Sequence, residues 1–191
     1  MVMVIGGGSV AGLNVGGLPT GTVNTATLAA SSVTAAKIGY SGAILQISAN
    51  TDTTTGSTTN ADWAGMWSHY ITRISTSNKI LIQGSLFWSS TNPNGMWYLE
   101  RSFDNSTFTR LVRLNQADEC KGSGNDVENF SINYLDSPGS TGATVYYRVY
   151  WRHYVQNGGQ MKKNQPTSLQ SWDNVETYPI TSQILLSEVA A

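Results

Sequence analysis

Lys79-Ile80-Leu81-Ile82-Gln83-Gly84-Ser85-Leu86-Phe87-Trp88 is the stretch that decides the fold. Successive side chains of an extended chain point to opposite faces, so Ile80, Ile82, Leu86 and Trp88 share one face. A strand with one side in a core is the reading. Residues 66–73 alternate in the same way, and Ser75-Thr76-Ser77-Asn78 supplies the turn between the two segments.

The pattern extends in both directions. Residues 43–49 read as a first strand, followed by a Thr-rich loop over residues 50–60. Beyond the turn cluster 89–95, which contains Asn92-Pro93-Asn94-Gly95, residues 96–103 and 107–114 form a hairpin across Asp104-Asn105-Ser106. A long polar loop covers residues 115–126. Strands follow at 127–135 and 143–155, separated by Asp136-Ser137-Pro138-Gly139-Ser140-Thr141-Gly142, and residues 180–189 form a last apolar strand. About eight strands with closely spaced turns predict an all-β, antiparallel β-sandwich, most economically a jelly roll.

The first part of the chain obeys a different rule. No charged residue precedes Lys37, and Leu13, Leu18, Val23, Leu28, Val33 and Ile38 recur every fifth residue among small and polar ones. That spacing matches neither the period of a strand nor that of a helix, so one chain alone buries none of these positions. Identical chains wrapped about a common axis bury all of them. The competing reading is a low-complexity tail whose spacing is chance, with residues 32–38 able to form one helical turn. A boundary near residues 39–42 divides the chain into an arm (1–12), an oligomeric stem (13–40) and a sandwich head (41–191). In the arm, Val4, Ile5, Gly6, Gly7 and Gly8 are uncharged and glycine-rich, a segment that gains order only against a partner.

Composition removes several function classes. Charged residues make up 12% of the 191 and the net charge is -1, without a basic block, which argues against a nucleic-acid or anionic-membrane partner. Cys120 is the single cysteine, so neither an intrachain disulfide nor a Cys/His zinc cluster can form. Met1-Val2-Met3-Val4-Ile5 lacks a preceding basic residue and is cut short by glycines, so it fits neither a secretion signal nor a membrane span. Synthesis in a cytoplasm is expected, with no membrane insertion. Gly6-Gly7-Gly8 followed by Gly12 imitates a dinucleotide fingerprint, but Gly16-Gly17 and Pro19 forbid the helix, and the first acid is Asp52. His69 and His153 could form a metal pair only if the sheets bring them together. Asp118, Glu119, Asp126 and Glu128 lack the spacing of a calcium loop. With no nucleophile elbow and no histidine near Cys120, no catalytic residue, cofactor or metal is expected, and the chain reads as a non-enzyme.

Aromatic residues are the remaining signal. Residues 145–154 carry large rings on both faces of a strand, which predicts an aromatic contact between subunits, or alternatively a ligand-stacking surface. Loops carry recognition, and two polar loops suit it. The candidate contact residues are Trp88, Asn92, Asn94 and Trp97 around one, and Asp118, Lys121, Asn125 and Asp126 in the other, with a host-surface glycan as the expected ligand class.

Residues 62–86, with Ile74-Ser75-Thr76-Ser77-Asn78-Lys79-Ile80-Leu81-Ile82, resemble the distal domains of bacteriophage fibre proteins. Tyr147-Arg148-Val149-Tyr150-Trp151 is similar to the penultimate strand of that family, and Ser182-Gln183-Ile184-Leu185-Leu186-Ser187-Glu188-Val189 to its closing strand. Leu28-Ala29-Ala30-Ser31-Ser32-Val33-Thr34-Ala35-Ala36-Lys37-Ile38 resembles the small-residue repeats upstream of such heads. The resemblance implies a homotrimeric jelly-roll head on a slender stem, located on a virion, attached to other virion proteins by its N-terminus and contacting the host surface. Two alternatives stand beside it: a capsid decoration or head-fibre protein, and a carbohydrate-binding module.

Overall fold

In β4, Lys79–Ser90, the alternation becomes burial: Ile80, Ile82, Leu86 and Trp88 all point into the core. The computed structural model describes residues 41–58, 64–90, 95–115, 127–153, 161–165 and 180–191, all within the unit Tyr40–Ala191. The pentad positions and the arm residues lie outside the described residues. So does any helical turn at residues 32–38.

Around β4 stand β1 (Ile44–Asp52), β2 (Gly56–Thr58), β3 (Ala64–Thr72), β5 (Gly95–Ser102), β6 (Thr109–Asn115), β7 (Glu128–Asp136), β8 (Thr144–His153), β9 (Met161–Lys163) and β10 (Ser182–Val189). One sheet joins β1, β10, β4 and β7, and is extended by β9 and β2; the other runs β3-β8-β5-β6. Every pairing is antiparallel. Setting aside the short β2 and β9, the first strand pairs the last (β1 with β10), and then β3 pairs β8, β4 pairs β7 and β5 pairs β6. That nesting is the jelly roll the strand pattern predicts. β2 falls inside the expected Thr-rich loop, and β9 has no counterpart in the sequence reading. Each is three residues long, too short to alternate, and exists because the partner strand is there: Gly56 faces Lys163 and Ser90 faces Met161.

The core between the sheets is aromatic at its centre. Trp88 and Trp97 meet edge-on with ring centroids 4.6 Å apart, and Phe130 lies 5.6 Å from Trp97 and 6.0 Å from Trp67. Offset and edge-to-face ring pairs of this kind add about 0.5–1.5 kcal/mol each beyond the area they bury.

One flank of the sandwich is closed by side chains instead of a ladder. β1 and β3 are edge strands of different sheets, and alternate β1 side chains cap β3 carbonyls. Gln46 Nε2 donates to Thr72 O at 2.7 Å, Ser48 Oγ to Tyr70 O at 3.3 Å, and Asn50 Nδ2 to Ser68 O at 3.1 Å. An edge strand with free carbonyls invites another chain, and this seam occupies them.

Buried polar groups tie the turns to the sheets. The Arg73 guanidinium donates to the carbonyls of Thr76, Gly139, Thr141 and Gly142 at 2.6–3.0 Å, so it pins both the β3–β4 turn and the β7–β8 loop. Between the sheets, Asp136 accepts from Arg101 at 2.9 Å and from the Tyr147 hydroxyl at 2.7 Å. Burial, reinforced by that carboxylate, raises the Tyr147 pKa far above the usual phenol range. Asn164, at φ 55°, uses its side chain on the carbonyls of Asp52 and Thr54 and on the Ser182 hydroxyl, joining β9 to β1 and β10.

Gly84 sits where β10 leaves no room. A Cβ there would lie 2.9 Å from the Gln183 carbonyl oxygen, a backbone atom. Alanine would gain about 0.5–1 kcal/mol from reduced chain entropy, but overpacking against backbone costs about 1–3 kcal/mol. Gly84→Ala is therefore expected to lower the urea midpoint. A midpoint at or above wild type would show that β10 shifts freely.

Candidate functional site

Trp88 and Trp97 are not contact residues. They are 1% and 0% exposed, facing each other across the core, which corrects the expectation that they flank a recognition loop as ligand-stacking rings. The alternation of β4 already puts Trp88 on the face of Ile80, Ile82 and Leu86, whereas Met96 and Tyr98 beside Trp97 allow either phase there, and packing between the sheets selects the tryptophan. Asn92, Asn94, Asp118, Lys121, Asn125 and Asp126 lie outside the described residues. The two histidines are not brought together. His69 is opposite Tyr147 and His153 opposite Gly95, six residues further along β8, or roughly 20 Å at the rise of a strand. Among the described residues no three His, Cys, Asp or Glu side chains converge as a metal site.

The two ring-bearing faces of β8 are divided between the core and the chain's own surface. Tyr147 and Trp151 are buried. On the outer face, the Arg148 guanidinium lies 3.7 Å from the Phe108 ring centroid and 4.2 Å from that of Tyr150, and is paired with Glu100 at 2.8 Å. Arg110 completes the arrangement, 3.3 Å from Glu100 and 4.5 Å from the Tyr98 ring. At the Tyr150 end of the expected intersubunit face the ring is thus half-buried against a cation of its own chain.

Further along the same outer face a groove of about 450 Å³ opens, lined by Asn50, Ser68, His69, Tyr70, Asn105, Tyr146 and Tyr147. Tyr70 and Tyr146 are cross-strand partners with ring centroids 5.6 Å apart and planes inclined at 39°. Tyr70 is 55% exposed. The seam supplies one wall, since Asn50 is held by Ser68 O and the His69 ring bonds the Ser48 hydroxyl at 2.9 Å. Burial lowers the His69 pKa below the usual histidine value, only partly opposed by the Ser48 backbone, so the ring is neutral at neutral pH. The other end is the β5–β6 turn. Asp104 Oδ1 accepts from the Ser106 and Thr107 amides at 2.9 and 2.8 Å and from the Ser102 hydroxyl at 2.7 Å, which holds Asn105 at φ 58°. The same donors, Ser102 first, pull the Asp104 pKa well below the usual carboxylate range.

The outer face of the larger sheet has a different character. Ile47, Ser187, Leu81 and Leu135 form one cross-strand row over β1, β10, β4 and β7. Ile47 is 59% and Leu135 50% exposed. Leu185 stands in the next row, between Ala49 and Gln83, and Ile44 beside Val189 continues the apolar surface toward the start of β1. Of these two surfaces, only the ring-bearing strand of Tyr146 was marked out by the sequence pattern. Ile47 and Leu135 look like ordinary strand residues until the rows align, and Tyr70 becomes notable only opposite Tyr146.

The fold defines an antiparallel jelly-roll domain with a polar aromatic groove on one sheet and an apolar row on the other. Among solved structures, the infectious bursal disease virus VP2 subviral particle is similar, with a TM-score of 0.45 and 11% identity over 76% of this chain and 37% of that one. The T=1 particles derived from infectious bursal virus give 0.43 and 10% over 76% and 36%, and the Gx strain of infectious bursal disease virus gives 0.41 and 11% over 76% and 37%. The chain spans a little over a third of the length of each. No family model matches the sequence, and no curated protein matches it.

Proposed function

We propose that this chain is a non-enzymatic structural component of a virion, a fibre or spike. In this reading it works as a homotrimer, attaches through residues 1–12 to other virion proteins, extends through the pentad stem, and presents the jelly roll for host adhesion. The observation that carries the reading is the apolar row on the larger sheet. Ile47 and Leu135 leave half or more of their surface in water, with Leu81 between them in the same row. Three large apolar side chains aligned in one row, on β1, β4 and β7 with the small Ser187 of β10 between Ile47 and Leu81, mark an interaction surface in a way that scattered apolar residues do not. A further copy of the chain is the occupant that suits it, because the pentad spacing upstream also asks for identical chains. Three as the number of copies, and the virion as the location, follow from the resemblance to phage fibres. The fold is compatible, since jelly rolls recur in viral capsid and lectin domains.

Light scattering of the full chain at micromolar concentration is expected to give a trimer. Leu135→Asp combined with Ile47→Asp places charges where copies meet, at a cost of several kcal/mol for each one buried unpaired, and is expected to yield folded monomers. A wild-type monomer, or a double variant that stays trimeric, would remove the row from the assembly.

A further inference from the structure

We propose that the groove between β1, β3 and β8 is a binding site for a neutral saccharide, with Tyr70 and Tyr146 as the stacking platform and Asn50, Ser68 and Asn105 as its polar rim. The inference rests on the adhesive part of the proposed function and deepens it by naming the ligand class and the site.

The rings come first. A sugar offers an apolar C–H face and an equatorial rim of hydroxyls, and an aromatic face with hydrogen-bonding groups at its edge complements both. Tyr70 and Tyr146 are inclined at 39° with centroids 5.6 Å apart, too far apart and too tilted to stack flat on each other. The groove they floor is about 450 Å³, within the roughly 300–1,000 Å³ of small-ligand pockets, and suits a short oligosaccharide.

The rim keeps hydrogen-bonding capacity in hand. Asn50 uses its Nδ2 on Ser68 O, which leaves its carbonyl oxygen directed to other donors. The bonds that hold the β5–β6 turn run to Asp104 and leave the Asn105 amide out. An amide both donates and accepts, as a sugar hydroxyl does. The turn fixes the Asn105 backbone and the seam fixes Asn50, so the ordering left to binding is mainly that of the Asn105 side chain.

Charge decides between sugar classes. The lining residues carry no carboxylate, lysine or arginine, and His69 is neutral at neutral pH. Arg148, the cation two residues from Tyr146 on the same face, is engaged by Glu100 and sandwiched by Phe108 and Tyr150. A sialylated or sulfated glycan finds no counter-charge in the groove, and a neutral one forfeits nothing there.

The test is calorimetric titration of the full chain with maltotriose, cellotriose, mannotriose and N-acetylchitotriose, against sialyllactose as the acidic probe. Wild type is expected to bind at least one neutral trisaccharide. Tyr70→Ala should weaken it by about tenfold or more, Asn105→Ala by a smaller factor, and Tyr70→Phe should retain most of the affinity because the ring remains. Gln83→Ala, exposed on the opposite sheet, is expected to bind as wild type does. Absence of binding to all four neutral sugars, binding to sialyllactose alone, or unchanged affinity in Tyr70→Ala would overturn the site. Light scattering on the same samples separates the two proposals: a trimer that binds no sugar refutes the groove and leaves the fibre reading standing.

Discussion

Glu188→Ala is expected to destabilise the domain by about 3 kcal/mol or more, because it strands several buried hydrogen-bond donors at once. Glu188 is fully buried on the last strand, β10. Its carboxylate accepts from the Ile74 amide at 2.8 Å, the Ser75 amide at 3.0 Å and Asn78 Nδ2 at 2.6 Å, and from Gln46 Nε2. One side chain therefore holds the β3–β4 turn against β10 and reaches β1. Alanine leaves those donors facing a cavity, and each unsatisfied donor costs about 1–3 kcal/mol.

The same group sets an acid limit. Burial pushes the Glu188 pKa up, but the Ile74, Asn78, Ser75 and Gln46 donors outweigh it, and the folded value lies below the usual 4.5. The folded chain thus binds fewer protons here than the unfolded chain does. Its contribution is complete above about pH 4.5 and is lost as pH falls through the lower folded value. Urea titrations at pH 7 and pH 4 should show a wild-type loss on acidification that is smaller in Glu188→Ala. Equal midpoints for wild type and variant at pH 7 would mean that the turn is held by other groups.

Trp97→Ala is expected to cost about 3–5 kcal/mol, as large-to-small changes at buried aromatic sites do. Trp97 touches Trp88 and Phe130 on the facing sheet and stands opposite Trp151 within its own. Its indole N–H makes no hydrogen bond among the described residues, so the ring acts by packing, and Trp97→Phe should be milder. For a domain of this size about 2–4 °C accompanies each kcal/mol, so melting should fall by about 10 °C in the alanine variant. A variant that melts as wild type does would place the ring outside the core. This result also separates two roles: a ligand-contact tryptophan would lose binding and keep its melting temperature.

Local periodicity was enough for β4, where Ile80, Ile82, Leu86 and Trp88 share one phase and are all core residues, while the other phase holds Gln83 and Ser85. β10 was legible as an apolar strand but not in its phase, because Leu185 and Val189 oppose Ile184 and Leu186 and the buried phase carries Glu188. The turn Ser75-Thr76-Ser77-Asn78 and the hairpin through Asp104-Asn105-Ser106 were legible for a related reason, because short polar side chains bond their own backbone wherever the chain reverses. Trp97 was not legible. Met96, Trp97 and Tyr98 are all apolar-bodied, so either phase would bury a large side chain, and only the opposing Trp88 and Phe130 choose between them. β2 and β9 were invisible because three residues have no period. The nesting of β1 with β10, the Glu188 and Arg73 hubs, the Tyr70–Tyr146 groove and the Ile47–Leu135 row each unite residues far apart in the chain. Such sites exist only once strand order and register place them side by side, and register is a property of pairs of strands that no single stretch of sequence contains.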